Sequence, residues 1–147
     1  MAEPFAPGMV SGAPRLLLRL EALGILLACL AAYHGLGASW WLFALLILAP
    51  DLGMAGYLAG ARAGAIGYNA THTYLAPLVL GAAGLLWAVL PAQALALIWA
   101  AHIAGDRALG FGLKYPDRFG LTHLGLSSAG KRAASAAQNG DRAARPD

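Results

Sequence analysis

The sequence predicts an all-α fold, an integral membrane four-helix antiparallel bundle. Three observations carry that prediction. The chain of 147 residues is 59% hydrophobic and only 12% charged, where soluble domains carry a charged fraction of about 25%. It contains four apolar stretches, each near the ~20 residues needed to cross a bilayer. Its Lys and Arg side chains gather at one end of those stretches, as membrane topology requires.

The first stretch covers residues 16–36 and stops at Gly35 and Gly37. The second covers 39–59 and the third 61–88. The fourth starts just after Pro91 and runs to about Leu113. Connections as short as those at Gly60 and at Leu90–Pro91 make consecutive helices antiparallel neighbours. Pro50 and Pro77 fall inside stretches, so each predicts a bend. Pro91 stands at a helix start, where a missing N–H costs nothing. Residues 1–14 predict a disordered lead, 15–125 the four-span domain with a cap on its cytoplasmic side, and 126–147 a disordered tail. Gly53, Gly56, Gly60, Gly64 and Gly67 predict close helix contacts.

Arg15, Arg19, Arg62, Arg107, Lys114, Arg118, Lys131 and Arg132 all fall on one side of the four-span arrangement. The positive-inside rule then puts both termini in the cytoplasm of a bacterial inner membrane. Trp40, Trp41, Trp87 and Tyr33 predict an aromatic belt at the far interface. Membrane lipids are the expected partners, and a homo-oligomer is left open. The net charge of +3 reflects flanking residues and not a basic patch with interleaved aromatics, so nucleic acid is set aside. Cys29 is the single cysteine and reads as a small apolar packing residue.

Seven polar residues break the apolar pattern: Glu21, Asp51, Asn69, His72, His102, Asp106 and Arg107. Ionisable groups at membrane depth are costly and rarely face lipid. With a rise of ~1.5 Å per residue, they fall into one slab on the cytoplasmic side. Asn69 and His72 are i,i+3, and His102 and Asp106 are i,i+4, so each pair shares a helix face. Tyr57, Tyr68 and Tyr74 lie close enough in sequence to join the same network. His34 belongs to the far interface and His123 reads as a surface residue. Residues 111–125 are too polar to cross and predict an ordered cap folded under the slab.

Three functions suit this slab. The first is structural: Asp51, Asp106 and Arg107 form an ion-pair network that locks the bundle. The second is a membrane-embedded, metal-dependent enzyme with His72, His102, Asp51 and Asp106 as ligands to a divalent metal, zinc or iron. The third is a small carrier coupled to protons or a solute, with histidine titrating. The first is the leading expectation, and catalytic residues stay unassigned. No phosphate loop and no serine or cysteine triad is present.

The words PDLGM, YNATHTY, HIAGDR, GFGLKYP and THLG occur in that order between residues 50 and 125. In this respect the chain resembles the small bacterial membrane proteins grouped as domain of unknown function 4260, over about residues 16–125. The resemblance implies a multi-span membrane protein. It implies no activity, cofactor or partner.

Overall fold

A computed structural model describes residues 9–116, 120–126 and 135–136. Helix α1 runs Gly12–Gly35, α2 Trp40–Leu46, α3 Ala61–Thr71, α4 Leu75–Leu86 and α5 Leu90–Leu109. A 3-10 segment, Ala49–Ala59, lies between α2 and α3. Strands β1 (Leu121–Thr122) and β2 (Gly125–Leu126) pair antiparallel. The fold is thus a mostly helical, four-helix packed bundle, with a small ribbon that an all-α expectation omits. The lead at 1–8, most of the tail, and Asp117, Arg118 and Phe119 lie outside the described residues.

The two internal prolines do more than bend their stretches. A helical proline clashes with the carbonyl four residues back and leaves it without an N–H partner. Pro50 therefore bears on Leu46, where α2 ends. Pro77 bears on Thr73, and the chain leaves helical geometry between α3 and α4 at residues 72–74. The second and third stretches are consequently broken, one into α2 plus the 3-10 segment and the other into α3 plus α4. The fourth ends at Leu109 and not near Leu113, because Gly110 takes a left-handed φ of 96° and caps it.

The broken elements form a tight hairpin. A 3-10 helix has three residues per turn, so residues three apart eclipse. Gly53 and Gly56 therefore stack on one face, against α3. A Cβ on Gly67 would lie 2.7 Å from the Gly53 carbonyl oxygen, and one on Gly56 would lie 2.7 Å from the Ala63 carbonyl oxygen. A Cβ on Gly64 would enter the Tyr57 ring. Four of the five glycines are close contacts, as expected. Gly60 is not: it has open space around it, and its φ of +116° makes the turn.

Helix α5 is the hub, packed against α1 on one side and α4 on another. Its buried positions are mostly small, including Ala94, Ala96, Ala101 and Ala104. The large apolar side chains point outward instead: Leu58 is 94% exposed and Trp41 86%. Two stretches, Gly12–Gly35 and Trp40–Ala59, are long and apolar enough to cross a membrane. Tyr33 departs from the expected belt. It is fully buried, donates to the Ser39 carbonyl at 2.7 Å and packs against Trp40 and Phe43.

Candidate metal centre

Each of the two helix breaks delivers a residue that could ligate a metal. Asp51 follows Pro50 in the first turn of the 3-10 segment. His72 is the residue after α3, with φ −109° and ψ 15°, which frees its side chain from the helical direction. His102 and Asp106 come from one face of α5. One donor atom from each of the four lies within 4.8 Å of every other.

The pairwise distances are informative. His72 Nε2 lies 3.1 Å from His102 Nε2, 3.3 Å from Asp51 Oδ1 and 3.4 Å from Asp106 Oδ2. His102 Nε2 lies 3.5 Å from Asp51 Oδ1 and 4.0 Å from Asp106 Oδ2. Four donors placed tetrahedrally at ~2.0–2.1 Å from an ion stand ~3.3 Å apart. The two histidines and their contacts to the aspartates fall near that spacing, and the two aspartates lie within 4.8 Å of each other.

Outer contacts prepare the donors. His72 Nδ1 lies 2.9 Å from the Tyr68 carbonyl and 3.0 Å from Thr71 Oγ1. The Thr71 hydroxyl is within reach of the Gly67 and Tyr68 carbonyls, at 3.2 and 3.1 Å, so it donates there and accepts from Nδ1–H. That tautomer leaves a lone pair on His72 Nε2, as a metal ligand requires. The Tyr68 hydroxyl donates to Asp106 Oδ2 at 3.1 Å, and its ring stacks on His72 with centroids 3.7 Å apart. Tyr68→Phe should keep the stack and lose the hydrogen bond. We expect ~10-fold weaker divalent-metal affinity, at the low end for an outer-shell partner, measurable by competition with a chromophoric chelator.

The other three residues of the expected cluster do different work. Asn69 spends its amide on the cap, donating to the Lys114 carbonyl at 2.9 Å and accepting from the Lys114 N–H at 2.8 Å. Glu21 sits on α1, which packs on α5, and it borders a small cavity with Arg107 and His123. Arg107 reaches back to the α3–α4 break, with Nη2 3.4 Å from the His72 carbonyl and its guanidinium 4.8 Å from the Tyr74 ring centroid. Among the described residues no carboxylate lies within 4.0 Å of Arg107. The expected ion-pair lock through Arg107 is therefore not formed. Trp99 was invisible as a partner in sequence. Its indole donates to the Thr71 carbonyl at 2.6 Å, satisfying the other carbonyl freed at the break.

His123 is half-buried and not a surface residue. Its Nδ1 accepts from the Leu113 N–H at 2.9 Å, which requires the neutral ring. Burial pushes its pKa below the ordinary histidine value, and Arg107 adds to the effect. A lowered folded-state pKa gives stability that is complete above about pH 6.5 and is lost as pH falls below it. His123→Asn offers an oxygen to the same N–H and does not titrate. Its melting temperature should fall less than the parent's between pH 7.5 and 5.5.

Fold and cluster together define a mostly helical bundle protein with a buried two-histidine, two-aspartate centre, compatible in geometry with a divalent metal. The family model named domain of unknown function 4260 matches residues 15–126, and the chain belongs to that family. No curated protein and no solved structure matches the chain.

Proposed function

We propose that this chain is a multi-pass membrane protein whose centre binds one divalent metal ion, zinc or iron, and performs metal-dependent chemistry. The observation that carries the reading is the convergence of donor atoms from Asp51, His72, His102 and Asp106 within 4.8 Å of one another. Arg107 does not neutralise the two aspartates, so a cation is the natural complement of two carboxylates beside two imidazoles.

Exposure divides the donors. The side chains of His72, His102 and Asp106 are 3%, 5% and 23% exposed, while that of Asp51 is 41% exposed. Two histidines and one carboxylate form the fixed set used by catalytic zinc and by non-haem iron sites. Asp51, the most exposed of the four, would complete the set as its outermost member, and its carboxylate would be placed to accept a proton from a bound group. A divalent ion so held supplies Lewis acidity toward a bound oxygen. His72 stays oriented throughout by Tyr68 and Thr71.

Membrane insertion is supported by the inverted distribution of side chains, with alanine inside and leucine outside. In water, exposed apolar surface of that extent marks an interaction face. The cytoplasmic placement of the cap side and both termini is supported by Arg15, Arg19, Arg62, Arg107 and Lys114, through the positive-inside rule. The test is elemental analysis of the detergent-purified protein. We expect one zinc or iron per chain, retained through gel filtration. A preparation that carries no metal, and takes none up tightly from solution, refutes the metal reading.

A further inference from the structure

An open groove of about 740 Å³ lies between α1 and α4, floored by α5. Its walls are almost wholly apolar and include Ile25, Ala32, Leu78, Ala82 and Leu97. At the cap end it meets the small cavity bordered by Glu21, Arg107 and His123, and the two share Ile25 and Tyr74. Along α4 the groove extends from Tyr74 to Leu85, ~16 Å at the helical rise. That is about half of a ~30 Å hydrocarbon core, the depth of one leaflet.

Two polar groups at the cap end are left short of partners. The Tyr74 hydroxyl is buried and has no hydrogen-bond partner among the described residues. A buried hydroxyl in that state has lost its water partners without replacement, which is costly. Arg107 has only a long contact to the His72 carbonyl and the face of Tyr74. Glu21 borders the same cavity without coming within 4.0 Å of the Arg107 guanidinium. An apolar channel one leaflet in length therefore ends beside an arginine held by one long backbone contact and a tyrosine hydroxyl with no partner among the described residues.

We propose that this groove is a binding site for one anionic membrane lipid, with an acyl chain between α1 and α4 and its phosphate on Arg107 and Tyr74. An acyl chain matches the groove in length and polarity. A phosphate oxygen supplies the acceptor for Tyr74 Oη and the counter-charge for Arg107, whose planar fork suits it. The inference rests on the membrane part of the reading above and is independent of the metal.

The test begins with fractionation of cells into membrane and soluble parts. The membrane-borne protein is then extracted in mild detergent, and mixed micelles carry phosphatidylglycerol or phosphatidylcholine with identical acyl chains. Native mass spectrometry counts bound lipid. The expected result is one phosphatidylglycerol per chain, retained at least 10-fold over phosphatidylcholine. Arg107→Gln should erase the preference and Tyr74→Phe should weaken retention several-fold. Ala82→Phe, which fills the groove from an exposed position on α4, should lose both lipids and keep the parent's melting behaviour. Equal retention of the two lipids overturns the inference, as does an Ala82→Phe protein that holds lipid like the parent. A lipid-free dimer that Ala82→Phe dissociates also overturns it, and assigns the groove to a second copy. Recovery of the chain in the soluble fraction overturns the membrane reading itself, which is a separate outcome.

Discussion

His102→Ala is expected to empty the centre of divalent metal and to lower the melting temperature of the protein by about 5–10 °C. The reasoning starts from where the four ligands come from. Asp51 and His72 belong to the hairpin of the 3-10 segment and α3, which packs chiefly on itself, whereas His102 and Asp106 belong to α5. A metal bound by all four joins two parts of the fold that share little other packing. An ion present at 100 times its dissociation constant stabilises the folded state by ~2.7 kcal/mol. In a chain of this size each kcal/mol moves the midpoint by ~2–4 °C. A chelator should reproduce the drop in the parent and have no further effect on His102→Ala. If the parent ignores the chelator, the ion is not a staple.

The second large effect is expected far from any ligand atom. Gly67→Ala should destabilise the protein by ~1–3 kcal/mol, the usual range for overpacking, and weaken metal binding as well. The new Cβ would meet the Gly53 carbonyl oxygen at 2.7 Å. Both sides of that contact are backbone, so the strain is relieved only if the 3-10 segment moves off α3. Asp51 lies two residues before Gly53 and His72 five residues after Gly67, so separation of the two segments pulls the aspartate from the imidazole. Gly24→Ala is the control, since a Cβ there meets nothing within 4 Å and a helical Gly→Ala exchange is favourable by ~1 kcal/mol. Thermal melts with and without added metal measure both. Equal behaviour of the two variants would show that the close approach does not hold the site together.

The ligand set was legible because its signal is one of cost. Asp51, His72, His102 and Asp106 stand out in apolar stretches, and depth along antiparallel helices brings them to one level. Depth says nothing about azimuth. Glu21, Asn69 and Arg107 share the level and face elsewhere, since α1 packs on α5 and Asn69 is taken up by the backbone of Lys114. Their separation from the four ligands depends on helix rotation, which two i,i+3 or i,i+4 pairs do not define across helices. Tyr68 was recognisable as a neighbour of the pair, yet its bond to Asp106 spans 38 positions of the chain. Trp99 gave no signal at all, because its partner is a carbonyl exposed only by the break.

By itself, then, the sequence determined that the chain is helical and apolar, which four residues could ligate a divalent metal, and that small residues let the backbones meet. Composition and the one-dimensional spacing of costly groups suffice for those. Only the tertiary structure decided that Pro50 and Pro77 break their helices outright, and that each break hands a side chain to the centre. It also decided that Arg107 turns away from the aspartates toward Tyr74 and the His72 carbonyl. The physical reason is that a broken helix frees backbone carbonyls, and the groups that reach two of them, Trp99 to Thr71 and Arg107 to His72, come from a distant helix. Such choices belong to packing between elements, where local pattern carries no information about which neighbour arrives.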